Sequence, residues 1–313
     1  MTVLHTSIDR VPKEAQGCVL AIGNFDGVHL GHAALIKMAK SLAAEAPLGV
    51  MTFEPHPRQF FQPEAEPFRL TLLPMKQRLM ETLGVEHLFA VAFNRDFSQL
   101  DGEAFVERIL VQNLKVRHVV VGEDFMFGRG RSGTIATLKA AADAGKFKLT
   151  VMPPVVASSG EIYSSTAIRE LLKQAKFAEA ASFLGWPWQM ESPVVHGDKR
   201  GRTMGYPTAN QNMLEHLRIP YGVYAVKVMI EGETVWRAGA ANFGIRPMFQ
   251  VVQPIFETFI FDFSGEIYGK VIRVQPVKHL RPEMSFAGLP ALISQMKDDC
   301  IAAKAVLESH KGS

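Results

Sequence analysis

The strongest constraint on how this chain can fold is a change of rhythm partway along it. Through the first half, short apolar runs at residues 18–22, 48–53, 88–93, 118–121 and 148–152 alternate with stretches of helical periodicity. Each run is apolar throughout and bounded by turn or polar residues, as expected of a strand buried on both faces. The helical patterns cover residues 31–44, 75–83, 102–114 and 134–144. Pro74 and Gly84 bracket the second, Gly145 follows the fourth, and Phe105, Ile109 and Leu110 share a face of the third. Such alternation predicts a doubly wound parallel sheet, whose ligands bind at the carboxyl ends of its strands. Two more helical stretches follow, at 166–174 and 177–184. After them the β signals dominate, with strands predicted at 221–230, 234–241, 255–263 and 267–274 and short Gly-containing connections. That spacing predicts an antiparallel sheet or small barrel. Residues 286–309 read as a helix interrupted near Pro290. The expected architecture is an α/β domain over residues 1–185 followed by an all-β domain with a terminal helix over 186–313.

A length of 313 residues suits two domains. With 47% hydrophobic and 21% charged residues, the bulk of the chain is not disordered. Lys plus Arg number 34 against 31 Asp plus Glu, a net charge of +3 with no clustered basic stripe, which argues against a nucleic-acid partner. Cys18 and Cys300 lie too far apart for a CxxC metal site and too few for a disulfide framework. They read as free thiols of a reducing compartment. The first 16 residues carry Asp9, Arg10, Lys13 and Glu14 and no apolar segment of a secretory signal. No apolar run approaches the roughly 18 residues of a membrane span. The expectation is a cytoplasmic protein with no membrane or obligate protein partner.

Chemistry concentrates at the predicted strand ends. Gly23-Asn24-Phe25-Asp26-Gly27-Val28-His29-Leu30-Gly31-His32 follows the first strand and opens the first helix. The glycines permit a tight turn, and the free N–H groups of a helix start favour a phosphate. Two imidazoles three residues apart there can both donate to its oxygens. The alternative is a Gly-rich turn carrying two surface histidines. Ser164-Ser165-Thr166-Ala167-Ile168-Arg169 stands where another helix begins. Its hydroxyls can cap that helix or bind phosphate, with Arg169 as a cationic fork. Gly128-Arg129-Gly130-Arg131-Ser132-Gly133 matches G-x-G-x-x-G but does not sit immediately after its strand, as a dinucleotide fingerprint must. It reads instead as a mobile basic loop over the site, touching phosphate through Arg129 or Arg131.

In the second half, Gly197-Asp198-Lys199-Arg200-Gly201-Arg202-Thr203-Met204-Gly205 spaces glycines four apart between charges. No GK[ST] ends it, so it is not a Walker A loop. Its backbone N–H groups can cradle a polyphosphate, or it is a solvated hairpin turn. Thr208 and Asn210, after Pro207, can present two oxygens to one hard cation.

In their order and spacing these motifs resemble the bacterial bifunctional riboflavin kinase/FMN adenylyltransferases. The first half is similar to HxGH-type nucleotidyltransferases, with further matches at Thr52-Phe53-Glu54-Pro55-His56-Pro57 and Val121-Gly122-Glu123-Asp124-Phe125-Met126-Phe127-Gly128. The second half is similar to the riboflavin kinases through Gly205-Tyr206-Pro207-Thr208-Ala209-Asn210, Asn242-Phe243-Gly244-Ile245-Arg246-Pro247, Glu257-Thr258-Phe259-Ile260-Phe261-Asp262-Phe263, Tyr268-Gly269 and Leu280-Arg281-Pro282-Glu283. Met248 and Tyr163 depart from the family's usual Thr and aliphatic residue. The resemblance implies a six-stranded kinase barrel and two ATP-dependent steps: riboflavin to FMN and ADP, then FMN to FAD and pyrophosphate. It implies that Gly23, Asn24, Phe25, Asp26, Gly27, His29 and His32 meet ATP, with Ser164, Ser165 and Arg169 on its triphosphate. Mg²⁺ would lie on the departing pyrophosphate. Phe53, Asp124, Phe125 and Phe127 would stand on the flavin side. In the kinase half, Glu257 is the implied base and Thr208 and Asn210 the implied Mg²⁺ ligands. Gly197, Lys199, Arg200, Gly201 and Gly205 would hold the phosphates, and Arg281 would lie near the flavin. The alternatives are a chain with one half inert or a flavin-binding regulator without turnover. Either would be marked by loss of Glu257 or of the His pair, and both are present.

Overall fold

The structure is a computed structural model that describes residues 1–197, 205–248 and 251–310. The chain divides into two compact units, Met1–Ala65 with Thr71–Ser165, and Glu66–Leu70 with Thr166–Ser313.

The first unit is built on a six-stranded sheet: β1 (Val3–His5), β2 (Val19–Ile22), β3 (Leu48–Glu54), β4 (His87–Ala92), β5 (His118–Gly122) and β6 (Lys148–Met152). All pairings are parallel, in the order β1-β4-β3-β2-β5-β6. Leu20, Ile22, Met51, Phe89 and Val119 pack on one face; Val19, Ala21, Val50, Leu88 and Val120 pack on the other. Where both faces are covered, in β2 to β5, the strands are mostly apolar rather than alternating, whereas the edge strand β6 is partly exposed. The strand order reverses between β2 and β5, so the ligand crevice of such a sheet lies at their carboxyl ends. The short edge strand β1 was not anticipated. Neither were the short helices α2 (Pro57–Phe61) and α4 (Arg95–Ser98), whereas α1 (Leu30–Ala43), α3 (Leu73–Thr82) and α6 (Ile135–Asp143) follow the periodicity. The helix expected at 102–114 starts as α5 (Gly102–Ala104) and continues as a π-helix, Phe105–Asn113. Leu114 N–H donates to the Ile109 carbonyl, five residues back. The wider turn suits the apolar spacing, since Phe105, Ile109, Leu110 and Leu114 are all buried.

The second unit is a closed antiparallel barrel of six strands: β7 (Met190–Val195), β8 (Ala209–Asn212), β9 (Gly222–Ile230), β10 (Arg237–Met248), β11 (Val251–Ile260) and β12 (Val271–Arg281). They run in the order β10-β11-β8-β7-β12-β9. Closure leaves no edge strand. β7 and β8 escaped the sequence reading because MESPVV and ANQN carry almost no apolar alternation. Inside, Gln211 of β8 is fully buried and its amide donates to the Ser192 and Ile272 carbonyls. Two helices read with the first half, α7 (Ser165–Lys173) and α8 (Phe177–Leu184), share their core with the barrel: Ile168, Leu172, Phe177, Ala180 and Leu184 join Trp188, Tyr224 and Phe256. The last helix, α9 (Leu289–Ser309), is not interrupted by Pro290. That proline lies in its first turn, where a missing N–H costs nothing, and residues 286–288 stay outside the helix. Ala303 and Leu307 of α9 pack on Ala225, Ala240 and Phe261, outside the barrel wall.

Candidate active sites

The first site grows from the end of β2. Phe25, Gly27 and Val28 take left-handed backbone, at φ of 48°, 87° and 41°, so the chain doubles back before α1. For the two non-glycine residues this costs on the order of 1–3 kcal/mol each and requires firm support. The support comes from several directions within the unit. Asp26 accepts from Thr71 N–H through Oδ1 at 3.1 Å, and Gly27 N–H donates to Thr71 Oγ1 at 2.9 Å. Ser165 Oγ donates to the Asp26 carbonyl at 2.7 Å, and Thr52 Oγ1 to the Asn24 carbonyl at 2.9 Å.

His29 caps α1, its Nδ1 accepting from His32 N–H at 3.4 Å. The two rings stack with centroids 3.6 Å apart, and Phe25 sets its edge against His32 at 5.1 Å. His29 is buried and His32 half-buried, its Nδ1 atom withdrawn from solvent, unlike a pair of ordinary surface histidines. Burial, then His29 and Lys76, drives the basicity of His32 well below the ordinary range. Its Nδ1 is buried without a hydrogen-bond partner. An unsatisfied imidazole nitrogen at a helix N-terminus with no acidic residue in its first turn is a place for a phosphate oxygen.

The remaining expected residues divide. The side chains of Phe25 and Asp26 are buried in the turn, so what they offer outward is backbone. Arg169 lies in the second unit, its Nε donating to the Phe68 carbonyl at 2.9 Å and its guanidinium 5.2 Å over the Phe68 ring. Phe53 packs on Phe93 and Phe97, and Phe125 stacks on Phe127 at 5.3 Å. Asp124 is exposed beyond β5. Sequence reasoning passed over Phe60, Phe61, Phe93 and Phe97, which extend this aromatic surface; Phe61 is 64% exposed. The available signal was aromatic residues just past β3 and β4. It also passed over Lys76, buried on α3 and paired with Glu54 at 3.1 Å. The basic glycine loop is not a free flap. Arg129 N–H donates to the Leu100 carbonyl, Gly102 N–H to Ser132 Oγ and Gly133 N–H to the Phe127 carbonyl. This is a pinned turn against α5, with Arg129 and Arg131 exposed.

The second site is a cavity of about 780 Å³ in the barrel unit, lined by Thr208, Asn210, Asn242, Glu257 and Arg281 among others. Strand register assembles it. Glu257 of β11 lies opposite Asn210 of β8 on one side and Asn242 of β10 on the other, so three polar side chains share one face. Asn210 Oδ1 and Thr258 Oγ1 are buried with no hydrogen-bond partner. Gly197 backs Asn210 so closely that a Cβ there would lie 2.4 Å from its amide nitrogen. Gly205 takes a left-handed φ of 82°. Lys199, Arg200 and Gly201 lie outside the described residues. Among the described residues no cluster of three His, Cys, Asp or Glu can hold a metal. The Thr208 and Asn210 oxygens nevertheless fit a hard cation that takes its other ligands from a nucleotide. At the far wall Arg281 is held in a fork by Asp299, at 2.8 and 2.7 Å, with Gln295 also donating to that carboxylate.

Residues 11–167 match the family model for FAD synthetase, and residues 184–307 match that for riboflavin kinase. A protein of Listeria monocytogenes named bifunctional riboflavin kinase/FMN adenylyltransferase is 41% identical over 286 residues, covering 90% of each chain. Its namesake in Escherichia coli K12 is 38% identical over 300 residues, 95% of each chain. A solved structure described as a macrolide-efflux protein from Streptococcus pneumoniae superposes with a TM-score of 0.78 at 31% identity, covering 95% of this chain and 97% of that one. Among the described residues, no helix here is long and apolar enough to cross a membrane. With the two models in tandem and relatives matched almost end to end, the chain belongs to the family of bifunctional riboflavin kinases/FMN adenylyltransferases.

Proposed function

We propose that this enzyme phosphorylates riboflavin to FMN in the barrel and adenylylates FMN to FAD on the parallel sheet, with ATP as donor in both steps. Residues 1–185 carry adenylyl transfer and residues 186–313 the kinase reaction. The observation that supports this best is that each half retains its own reactive arrangement: a stacked His pair at a helix start, and Glu257 flanked by two asparagines at a cavity wall.

In the kinase step, Glu257 accepts the proton of the terminal ribityl hydroxyl as its oxygen attacks the γ-phosphorus of ATP and ADP leaves. Thr208 and Asn210 would hold Mg²⁺, which would neutralise phosphate charge. Gly197, Lys199, Arg200, Gly201 and Gly205 receive the polyphosphate, and Arg281 borders the flavin. In the second step an FMN phosphate oxygen attacks the α-phosphorus of ATP and pyrophosphate leaves, with no covalent link to the protein. The backbone around Gly23, Asn24, Phe25, Asp26 and Gly27 orients the phosphates, and His29 and His32 hydrogen-bond their oxygens as charge shifts. Ser164 and Ser165 act on the triphosphate, and Phe53, Asp124, Phe125 and Phe127 on the flavin side. Neither step requires a macromolecular partner, and the reading is of a cytoplasmic enzyme.

The test is incubation with riboflavin, ATP and Mg²⁺ followed by chromatographic resolution of the flavins. FMN and then FAD are expected; absence of both overturns the reading. Glu257→Ala abolishes FMN formation but leaves FAD synthesis from supplied FMN, and His29→Ala does the reverse. Loss of both activities in either folded variant would refute two separate sites.

A further inference from the structure

Lys76 is a buried cation that the reaction described above does not use. It is 1% exposed, on α3, far in sequence from the strand ends it touches. Its Nζ donates to the Asn24 carbonyl at 3.0 Å, to Thr52 Oγ1 at 2.9 Å and to Glu54 Oε1 at 3.1 Å. An ammonium has three hydrogens, and these three acceptors can take all of them. Lys76 is therefore engaged by the protein's own acceptors. The acceptors are not scattered. Asn24 stands just past β2, and Thr52 and Glu54 close β3, two neighbouring strands whose carboxyl ends form the adenylyl-transfer site. Thr52 donates onward to the same Asn24 carbonyl, so one carbonyl receives two donors and the turn is tied to β3 twice. Burying an ammonium costs several kcal/mol unless it is paired and fully hydrogen-bonded. A turn that only had to fold could be held by neutral donors such as Thr52 and Thr71.

We propose that Lys76 is a positioning residue for adenylyl transfer: by clamping the Asn24 carbonyl to Thr52 and Glu54, it sets the turn that aims the start of α1 at the phosphates. The inference rests on the reading of His29, His32 and Asn24 as the adenylyl-transfer site. The clamp also has an electrostatic signature. Among the described residues, the titratable and charged groups whose fields act on His32 are His29, at the N-cap of α1, and Lys76, from α3, and both depress its basicity in addition to burial. Removing the Lys76 charge raises the pKa of His32. With the basicity of His32 held well below the ordinary range, its neutral form is the active one, and the acid limb of the adenylyl-transfer pH profile then moves to higher pH.

The experiment compares Lys76→Met and Glu54→Gln in the full chain, following FMN adenylylation and riboflavin phosphorylation from pH 5 to 9, with thermal unfolding as a check on folding. For Lys76→Met, kcat for FAD synthesis falls by about tenfold or more, as expected when reacting groups are misplaced. Its acid limb moves upward, and kinase activity stays within about twofold. For Glu54→Gln, which removes a negative charge instead, the limb does not move upward. A Lys76→Met enzyme with wild-type kcat and profile overturns the proposal. So does one that loses FAD synthesis with an unshifted limb, which marks Lys76 as core packing alone. Should Lys76→Met fail to fold, Lys76→Arg takes its place: retained charge with altered reach must lower kcat while leaving the limb at its wild-type pH, and unchanged kcat overturns the proposal. If instead His29→Ala leaves FAD synthesis intact, the assignment of the site itself has failed.

Discussion

Single atoms decide much at both sites. His32 Nδ1 and Asn210 Oδ1 are buried and without partners, which a protein tolerates only where something else meets them. Gly31 shows how tightly the first is framed: a Cβ there would lie 3.1 Å from the His29 ring. Gly31→Ala is expected to lower FAD synthesis about tenfold by wedging the stacked pair apart, while riboflavin phosphorylation is unchanged. Asp26 is a structural counterpart. Asp26→Ala removes the carboxylate that accepts from Thr71 N–H and is expected to cost about 1–3 kcal/mol, read as a lowered midpoint of thermal unfolding in the first unit.

At the scale of elements, the kinase site depends on how strands and helix are set against one another. The end of β7 presses Gly197 onto Asn210 of β8. Gly197→Ala must displace that amide, so the KM for ATP in riboflavin phosphorylation rises several-fold while FAD synthesis from FMN stays at its wild-type rate. α9 holds Arg281 through Asp299, both side chains largely withdrawn from solvent. Asp299→Ala leaves a half-buried guanidinium without its fork and is expected to raise the KM for riboflavin more than that for ATP, by steady-state kinetics. Legibility also varied by element. β2 to β5 stood out because strands covered on both faces need mostly apolar runs. β8 did not, because its reason for being a strand is Gln211 bonding to two neighbouring carbonyls inside a closed barrel.

Across the whole molecule, the two activities are carried by units with separate cores, so single-site losses are expected to stay within one half. The second unit also carries a pH liability. His216 is buried, pairs with Arg69 in a short β-bridge and accepts from Glu191 N–H, and burial with Arg69 nearby depresses its pKa from 6.5 to about 4. The unfolded chain thus binds a proton that the folded one refuses, and stability falls as pH drops from 6.5 toward 4. At pH 5 this amounts to about 2 kcal/mol. Denaturant unfolding at pH 7.5 and pH 5 measures it, and His216→Gln is expected to shrink the difference.

The sequence by itself determined the order of strands and helices in the first half and the presence of a β-rich second half. It also marked the motifs that stand at the strand ends and helix starts. Apolar periodicity, glycine turns and hydroxyl-rich helix starts are local properties, readable a dozen residues at a time. Only the tertiary structure decided which polar groups are buried and what they meet. Lys76 looks like any helix-surface lysine until β2 and β3 close over it, and Arg281 looks free until α9 returns with Asp299. α7 and α8 continue the rhythm of the first half, yet their apolar faces complete the barrel core. Burial and partnership depend on contacts between segments distant in the chain, and no local pattern encodes them.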